Sequence, residues 1–300
     1  MIAAIIQARM GSKRLPGKTM TNISGKPMLQ HVIERVRASS LIEEVIIATT
    51  TQTNDDTLAA FADTWGLTCF RGSEEDVLDR VYQAARNHGV EHIVRVTPDC
   101  PLLDPEVMDR VIEIYLSGRY DYVSNTVRYT YPEGLDVEVF SFPTLEQAWK
   151  EARVPSEREH VTTYIRNSGL FNLFNVEHSE DLSHLKWSVD TEDDLALVES
   201  IYGLLPEGSE SYHFSQVLQA LGRHPELTSI NQRSIVNAGY YKSLANDPPV
   251  PPNEIHFDRS FDLKSKAQDL IPSISQTFSK SPTQFIQGAA PVFLQRGQGS

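Results

Sequence analysis

The stretch IIQARMGSKRLPGKT occupies residues 5–19. An apolar run (Ile2, Ala4, Ile5, Ile6) turns directly into Arg9, Lys13, Arg14 and Lys18, with Gly11 and Gly17 between them. A buried strand followed by a cationic, glycine-containing loop is the opening of many phosphate-binding α/β proteins. A Walker A loop, G-x-x-x-x-G-K-[ST], does not fit: five residues separate Gly11 from Gly17, and Pro16 stands where the second glycine belongs. A P-loop also runs straight into a helix, whereas here TMTNISGKPM (19–28) delays the next helix to near Pro27. The anion logic survives without that motif. Gly11 and Ser12 let backbone N–H groups approach phosphate oxygens. Arg9, Lys13, Arg14 and Lys18 can neutralise a triphosphate.

Working outward, the first 125 residues alternate apolar runs with helical periods. MIAAII, EEVIIATT, LTCF and HIVRVTPD read as strands. MLQHVIERVRA, DDTLAAFADTW, EDVLDRVYQAARNHG and PEVMDRVIEIYLSG read as helices, the last with proline at its start and glycine at its end. Such alternation predicts an α/β fold with a mostly parallel sheet and helices on both faces. Ligands then sit beyond the C-terminal ends of strands, which brings the cationic loop and TPDCP (97–101) to one edge. After residue 125 the pattern changes. GLDVEVFS reads as a strand with one wet face, which puts Asp136 and Glu138 together. SEREHVTTYIRNS reads as one helix opened by a Ser156–Glu159 capping box. LFNLFNV reads as a strand, and LKWSVDTEDDLALVESIYGLL as a strand running into a helix. There Asp190 is either a ligand or a cap with an acidic first turn.

Composition narrows the partners. Forty acidic residues face 27 basic ones in 300, a formal charge of −13. Such a surface disfavours nucleic acid and anionic membranes, and a cationic loop on it suits a small anion. Cys69 and Cys100 offer neither metal spacing nor a disulfide framework. With no signal-peptide pattern and no apolar run of 18 residues, a cytoplasmic protein is expected.

Several ordered motifs carry a resemblance: ARMGSKRLPGK, RGSEEDVLDRVYQAA, RVTPDCPLLDP, PEGLDVEVFS, SEREHVT and WSVDTEDDL. Together they resemble the cytidylyltransferases that make CMP-activated sugars, the CMP-sialate and CMP-Kdo synthetases, and above all their SpsF-like branch. The first motif matches the family's A-R-x-G-S-x-R-x-P-x-K loop. Pro98 stands where the family often carries glycine. The resemblance covers roughly residues 1–240 and implies a three-layer, Rossmann-like nucleotide-diphospho-sugar transferase (GT-A-like) fold with a mixed, mostly parallel sheet. It implies transfer of CMP from CTP to a small acceptor with release of pyrophosphate. Arg9, Arg14 and Lys18 are then catalytic. Ala8, Arg9, Met10, Gly11, Ser12, Arg14, Lys18, Arg71, Asp79 and Arg80 line the nucleotide, although Asp76 and Arg80 also fit a surface i,i+4 pair. It places Mg²⁺ ligands at Asp99 and Asp190. Asp136, Glu138 and Arg158 would face the acceptor, while His160 reads as a bland, exposed helix residue. A homodimer is compatible with the resembling enzymes. Three rivals are a glycosyltransferase using a nucleotide sugar on the same fold, a non-catalytic nucleotide-binding scaffold for the fused aminotransferase, and a purely structural domain.

The domain is expected over 1–245, with a proline-rich linker over 246–254 (NDPPVPPN lies in it). Residues 255–300 resemble the start of a class III, glutamate-1-semialdehyde-type aminotransferase. That implies a truncated piece of a bifunctional polypeptide, whose pyridoxal phosphate would belong to sequence beyond residue 300.

Overall fold

The computed structural model describes residues 1–12, 14–205, 212–232, 234 and 237–248. Residues Met1–Asp247 form one compact unit. Lys13 and the segment read as aminotransferase-like lie outside the described residues, as does the linker beyond residue 248.

The strands are β1 (Ile2–Gln7), β2 (Asn22–Ile23), β3 (Lys26–Pro27), β4 (Glu44–Thr50), β5 (Thr68–Gly72), β6 (His92–Val96), β7 (Tyr122–Ser124), β8 (Glu138–Ser141) and β9 (Leu173–Asn175). Seven of them form one sheet in the order β5-β4-β1-β6-β8-β7-β9, and β2 and β3 pair as a separate hairpin. The first four sheet strands run parallel, with Ala4 opposite both Val45 and Val94. β8 is antiparallel to β6 and β7, and β9 rejoins β7 in parallel.

β1 explains the layering. Its side chains alternate across the sheet, so Ala4 and Ile6 pack with α1 (Met28–Arg37), α2 (Asp56–Thr64) and α4 (Pro105–Leu116). Ala3 and Ile5 pack with α3 (Val77–Asn87), α5 (Phe142–Glu151) and α7 (Thr163–Asn167) on the other face. All four are fully buried, which is why the strand reads as a continuous apolar run. A third core gathers around Trp187 from α8 (Glu192–Leu204), α9 (Phe214–Arg223) and the β2–β3 hairpin. The strand order reverses at β1, since β4 and β5 lie to one side of it and β6 to the other. The loops after β1 and β6 therefore diverge and leave a crevice at the C-terminal edge.

Three local expectations are corrected. LKWSVD is not a strand: Lys186 makes one isolated bridge to Glu133, and irregular chain leads to α8. Residues 156–168 are not one helix: α6 (Pro155–Glu159) and α7 are separated at Val161, whose φ is +60°. The first of these is capped differently as well. Glu157, not Glu159, reaches back to the Val154 N–H, and the Ser156 hydroxyl donates to Asp247. The last helix among the described residues, α10 (Ala238–Asn246), packs on α6 through that same aspartate.

Candidate functional site

The loop after β1 is fixed by its backbone. The Met10 N–H donates to Asp55 Oδ1 (2.7 Å), and the Thr19 hydroxyl donates to the Arg9 carbonyl (2.9 Å). Gly17 turns the chain at φ +69°, a conformation that glycine adopts without strain. Lys18 then projects into the crevice. Its Nζ donates to Asp99 Oδ2 (2.8 Å), Asp190 Oδ1 (2.9 Å) and the Val189 carbonyl (3.0 Å). Asp99 sits in the turn after β6, and Asp190 sits before α8. The two segments are tied by the Val189 N–H donating to the Asp99 carbonyl (2.8 Å). Burial opposes ionisation of Asp99, but the Lys18 charge outweighs it and holds the carboxyl at about 2. Conversely, burial opposes the Lys18 charge, and the two carboxylates hold the ammonium above the usual lysine range.

Asp190 carries two further cations. Arg14 lies 2.8 Å from Oδ1, and buried Lys186 lies 3.4 Å from Oδ2. Lys186 also donates to Asp194 Oδ2 (2.9 Å) and to the Ser188 carbonyl (2.8 Å). The same Asp194 oxygen receives the N–H groups of Asp190 and Thr191. The acidic first turn of α8 is thus a cap in which Asp194 and Thr191 do the capping. Asp190 stays outside it and faces the crevice.

Phosphate-sized charge compensation collects on the other flank. Arg9 and Arg14 are exposed. Arg80 is 2% exposed, and its Nε has no hydrogen-bond partner. Burial first, then the neighbouring Arg9, lower its guanidinium to about 10. The expected surface pair of Arg80 with Asp76 is replaced by donation to the Ser73 carbonyl. Ala8 is buried in the core on the α1 face, and Met10 packs against that core. The Ser12 N–H is occupied by the Met10 carbonyl (2.9 Å), so this loop offers no anion nest at Ser12. Arg71 is tied to the Thr50 and Gln52 carbonyls and to Asp56 at the end of β4. Asp79 turns away, accepting from the Trp149 indole N–H (2.9 Å).

The acceptor-side readings divide. Asp136 lies just before β8, accepting from the Tyr129 hydroxyl (2.9 Å) and the Gly134 N–H (3.2 Å). Burial, helped by the charges of Glu138 and Asp99, raises its carboxyl to about 6. Glu138 does not line a wet face. β8 lies inside the sheet, and Tyr122, Thr162 and Arg95 take up both carboxylate oxygens. Arg158 does not face an acceptor either: it binds Asp76 at the start of α3 and the Trp149 carbonyl, locking α6 to α3. His160 is neither exposed nor within a helix. Its ring is partly buried against Tyr240, and burial lowers it to about 4.

Sequence reasoning passed over Glu133 and Lys186. Gly134 is the signal that could have found them. A Cβ there would lie 2.7 Å from the Ser188 nitrogen, and its φ is +113°. Only glycine lets residues 133–134 press against 186–188. Glu133 is buried, one carboxylate oxygen has no partner, and the carboxyl is raised to about 7 by burial and Asp136 against the pull of Lys186.

Two carboxylates from separate segments converge on one cation at the switch-point crevice of a mixed α/β sheet, flanked by arginines, at the edge where such sheets hold their ligands. The description of the Cytidylyltransferase family matches residues 3–193, and the chain belongs to that family. It is 33% identical over 238 residues to the spore coat polysaccharide biosynthesis protein SpsF of Bacillus subtilis, covering 75% of this chain and 95% of that one. A 3-deoxy-manno-octulosonate cytidylyltransferase of Pelobacter propionicus is 40% identical over 111 residues, 37% of this chain and 43% of its own length. The solved structure of a cytidylyltransferase from Leptospira borgpetersenii matches with a TM-score of 0.73 at 31% identity, over 78% of this chain and 98% of that one. Among the described residues no helix is long and apolar enough to cross a membrane.

Proposed function

We propose that the domain transfers CMP from CTP to a small hydroxyl- or acid-bearing acceptor in a Mg²⁺-dependent reaction that releases pyrophosphate. The observation that carries this reading is the convergence of Asp99 and Asp190, within 3 Å of one cation, below a loop of arginines. Mg²⁺ takes hard oxygen donors, commonly one or two carboxylates completed by phosphates and water. Asp99 and Asp190 supply that donor set at a position where the protein already balances positive charge, so these residues fit the ion. The bound ion would supply charge neutralisation at the α-phosphorus and on the departing pyrophosphate.

The chain's own groups do the rest. Arg9, Arg14 and the buried, under-partnered Arg80 offset the triphosphate. Lys186 holds Asp190 in place from behind. An acceptor oxygen, entering on the side of Asp136 and Glu133, forms a bond to the α-phosphorus as the bond from that phosphorus to the αβ-bridging oxygen breaks; the bridging oxygen leaves with pyrophosphate, and a hydroxyl acceptor gives up its proton to solvent. Positioning and charge neutralisation are the main sources of rate.

The test is a thermal-shift series with CTP, ATP, GTP and UTP, each with and without Mg²⁺, followed by pyrophosphate detection over an acceptor panel. A native-state ligand raises the midpoint by mass action. A CTP-selective, Mg²⁺-dependent rise is expected, and no rise with any triphosphate overturns the reading. Release of nucleoside diphosphate from a nucleotide sugar would favour the glycosyltransferase rival, and CTP binding without turnover across the panel would favour the scaffold.

A further inference from the structure

We propose that Lys18 is the site's resident counter-cation: it occupies the carboxylate pair that the divalent metal needs, and it leaves that pair when a triphosphate offers it other oxygens. The proposal rests on the reading of Asp99 and Asp190 as metal ligands and adds to it a built-in competitor for the metal.

Three observations carry it. An ammonium has three donor hydrogens. Lys18 directs them at Asp99 Oδ2, Asp190 Oδ1 and the Val189 carbonyl, at 2.8, 2.9 and 3.0 Å. No proton is left for a phosphate, so a role for Lys18 in neutralising the triphosphate requires these bonds to break. Second, a metal bridging the two carboxylates would enter the space between them that the Lys18 ammonium fills. A Mg²⁺ bound at about 2.0–2.1 Å from carboxylate oxygen cannot share Asp99 Oδ2 and Asp190 Oδ1 with an ammonium in van der Waals contact. Asp190 Oδ1 already carries Arg14 as well. Third, the backbone and the side chain are decoupled. Thr19 is buried and anchors the loop to the Arg9 carbonyl, while the lysine has a flexible four-carbon stem. The side chain can swing without moving the loop.

Metal and triphosphate are then linked through one residue. Metal alone must displace an ammonium that keeps no anion to go to, whereas triphosphate gives that ammonium new acceptors. This predicts weak metal binding to the nucleotide-free protein and identifies Lys18 as the cause.

The experiment is a Mn²⁺ titration of the nucleotide-free full chain, followed by electron paramagnetic resonance of the free ion. Wild type, Lys18→Met and Lys18→Met/Asp99→Asn are compared, with circular dichroism to establish folding. Lys18→Met should bind Mn²⁺ at least about tenfold more tightly than wild type, within the ~5–150-fold range of ordinary site couplings. The double variant should lose that gain, which assigns it to this carboxylate pair. If Lys18→Met does not fold, Lys18→Gln gives the same reading, since its amide still donates hydrogen bonds without a charge. Unchanged Mn²⁺ affinity in a folded variant, or a gain that survives Asp99→Asn, overturns the proposal. A tenfold gain in a protein that binds no CTP would instead sustain the competition while removing the cytidylyltransferase reading.

Discussion

The four parallel strands β5-β4-β1-β6 and the strands beyond them, β8-β7-β9, bury polarity in opposite ways. β1 places Ala3, Ala4, Ile5 and Ile6 in two apolar cores and keeps its chemistry for the loop that follows. β8 starts with a carboxylate inside the sheet, Glu138, held by Arg95 from β6, Tyr122 from β7 and Thr162 near α7. The parallel half is a scaffold with a site at its edge. At β8 the polar network enters the layer itself, reaching through Arg95 on β6 to Gln7 on β1, and apolar burial cannot replace its members one at a time.

The largest expected effect tests the edge. Asp190→Asn keeps the size of the side chain but removes a charge that balances Lys18, Arg14 and Lys186. Turnover measured by pyrophosphate release should fall by at least ~10²-fold, with circular dichroism unchanged. Retained activity would separate the edge cations from the chemistry. The next effect lies behind the crevice, outside both halves of the sheet, at the bridge between residues 186–188 and α8. Lys186→Met leaves Asp194 buried without its ammonium partner. Loss of one member of a buried pair costs about 3–5 kcal/mol, readable in urea denaturation. A cost near zero would mean that the Lys186–Asp194 pair behind Asp190 is dispensable for stability.

A paired substitution sharpens the same contrast. Ile5→Val removes one methylene from a fully buried site in the parallel half and should cost about 0.5–1.5 kcal/mol. Glu138→Gln changes no volume, yet it must re-pair Arg95 and should cost about 1–3 kcal/mol. If the isosteric change proves the milder one, the carboxylate charge is not what holds β8 in the sheet.

How much of this was legible follows the same division. MIAAII and EEVIIATT announce buried strands because both faces are apolar, and no distant residue is needed to interpret them. Glu138 and Asp136 look like a wet face because alternation is a local signal, whereas the partners that bury Glu138 come from three separate segments. Arg158 reads as free because its carboxylate, Asp76, lies far back in the sequence. The meeting of Lys18 with Asp99 and Asp190 is invisible to periodicity, and the aspartates were expected only through family resemblance. Glu133 and Lys186 sit inside quoted motifs, but each looks like an ordinary surface charge until the close approach at Gly134 is known.

The smallest expected effect is a pH dependence of stability that distinguishes the carboxylates of the crevice. Burial raises Glu133 from an ordinary 4.5 to about 7, and Asp136 from 3.8 to about 6. A carboxyl whose folded value is raised binds its proton more tightly in the folded state. Its contribution is complete below the unfolded value and is lost as pH rises through the folded one. These two carboxyls pull the unfolding midpoint down between about pH 4.5 and 7, by about 2–4 °C for each kcal/mol lost, whereas His160, lowered by burial to about 4, pulls it up as pH rises from about 4 to 6.5, so the carboxyl effect is read as the difference between wild type and Glu133→Gln. Asp99 works in the opposite sense. Its lowered value means that its contribution is present above 3.8 and lost as pH falls through about 2, so it is constant across that window. Glu133→Gln should flatten the drift in the upper part of the window, where Asp136 has already finished titrating, and leave the acid limb untouched. A Glu133→Gln midpoint that follows the wild-type curve through the window would mean that Glu133 is charged in the folded protein, with Lys186 outweighing its burial.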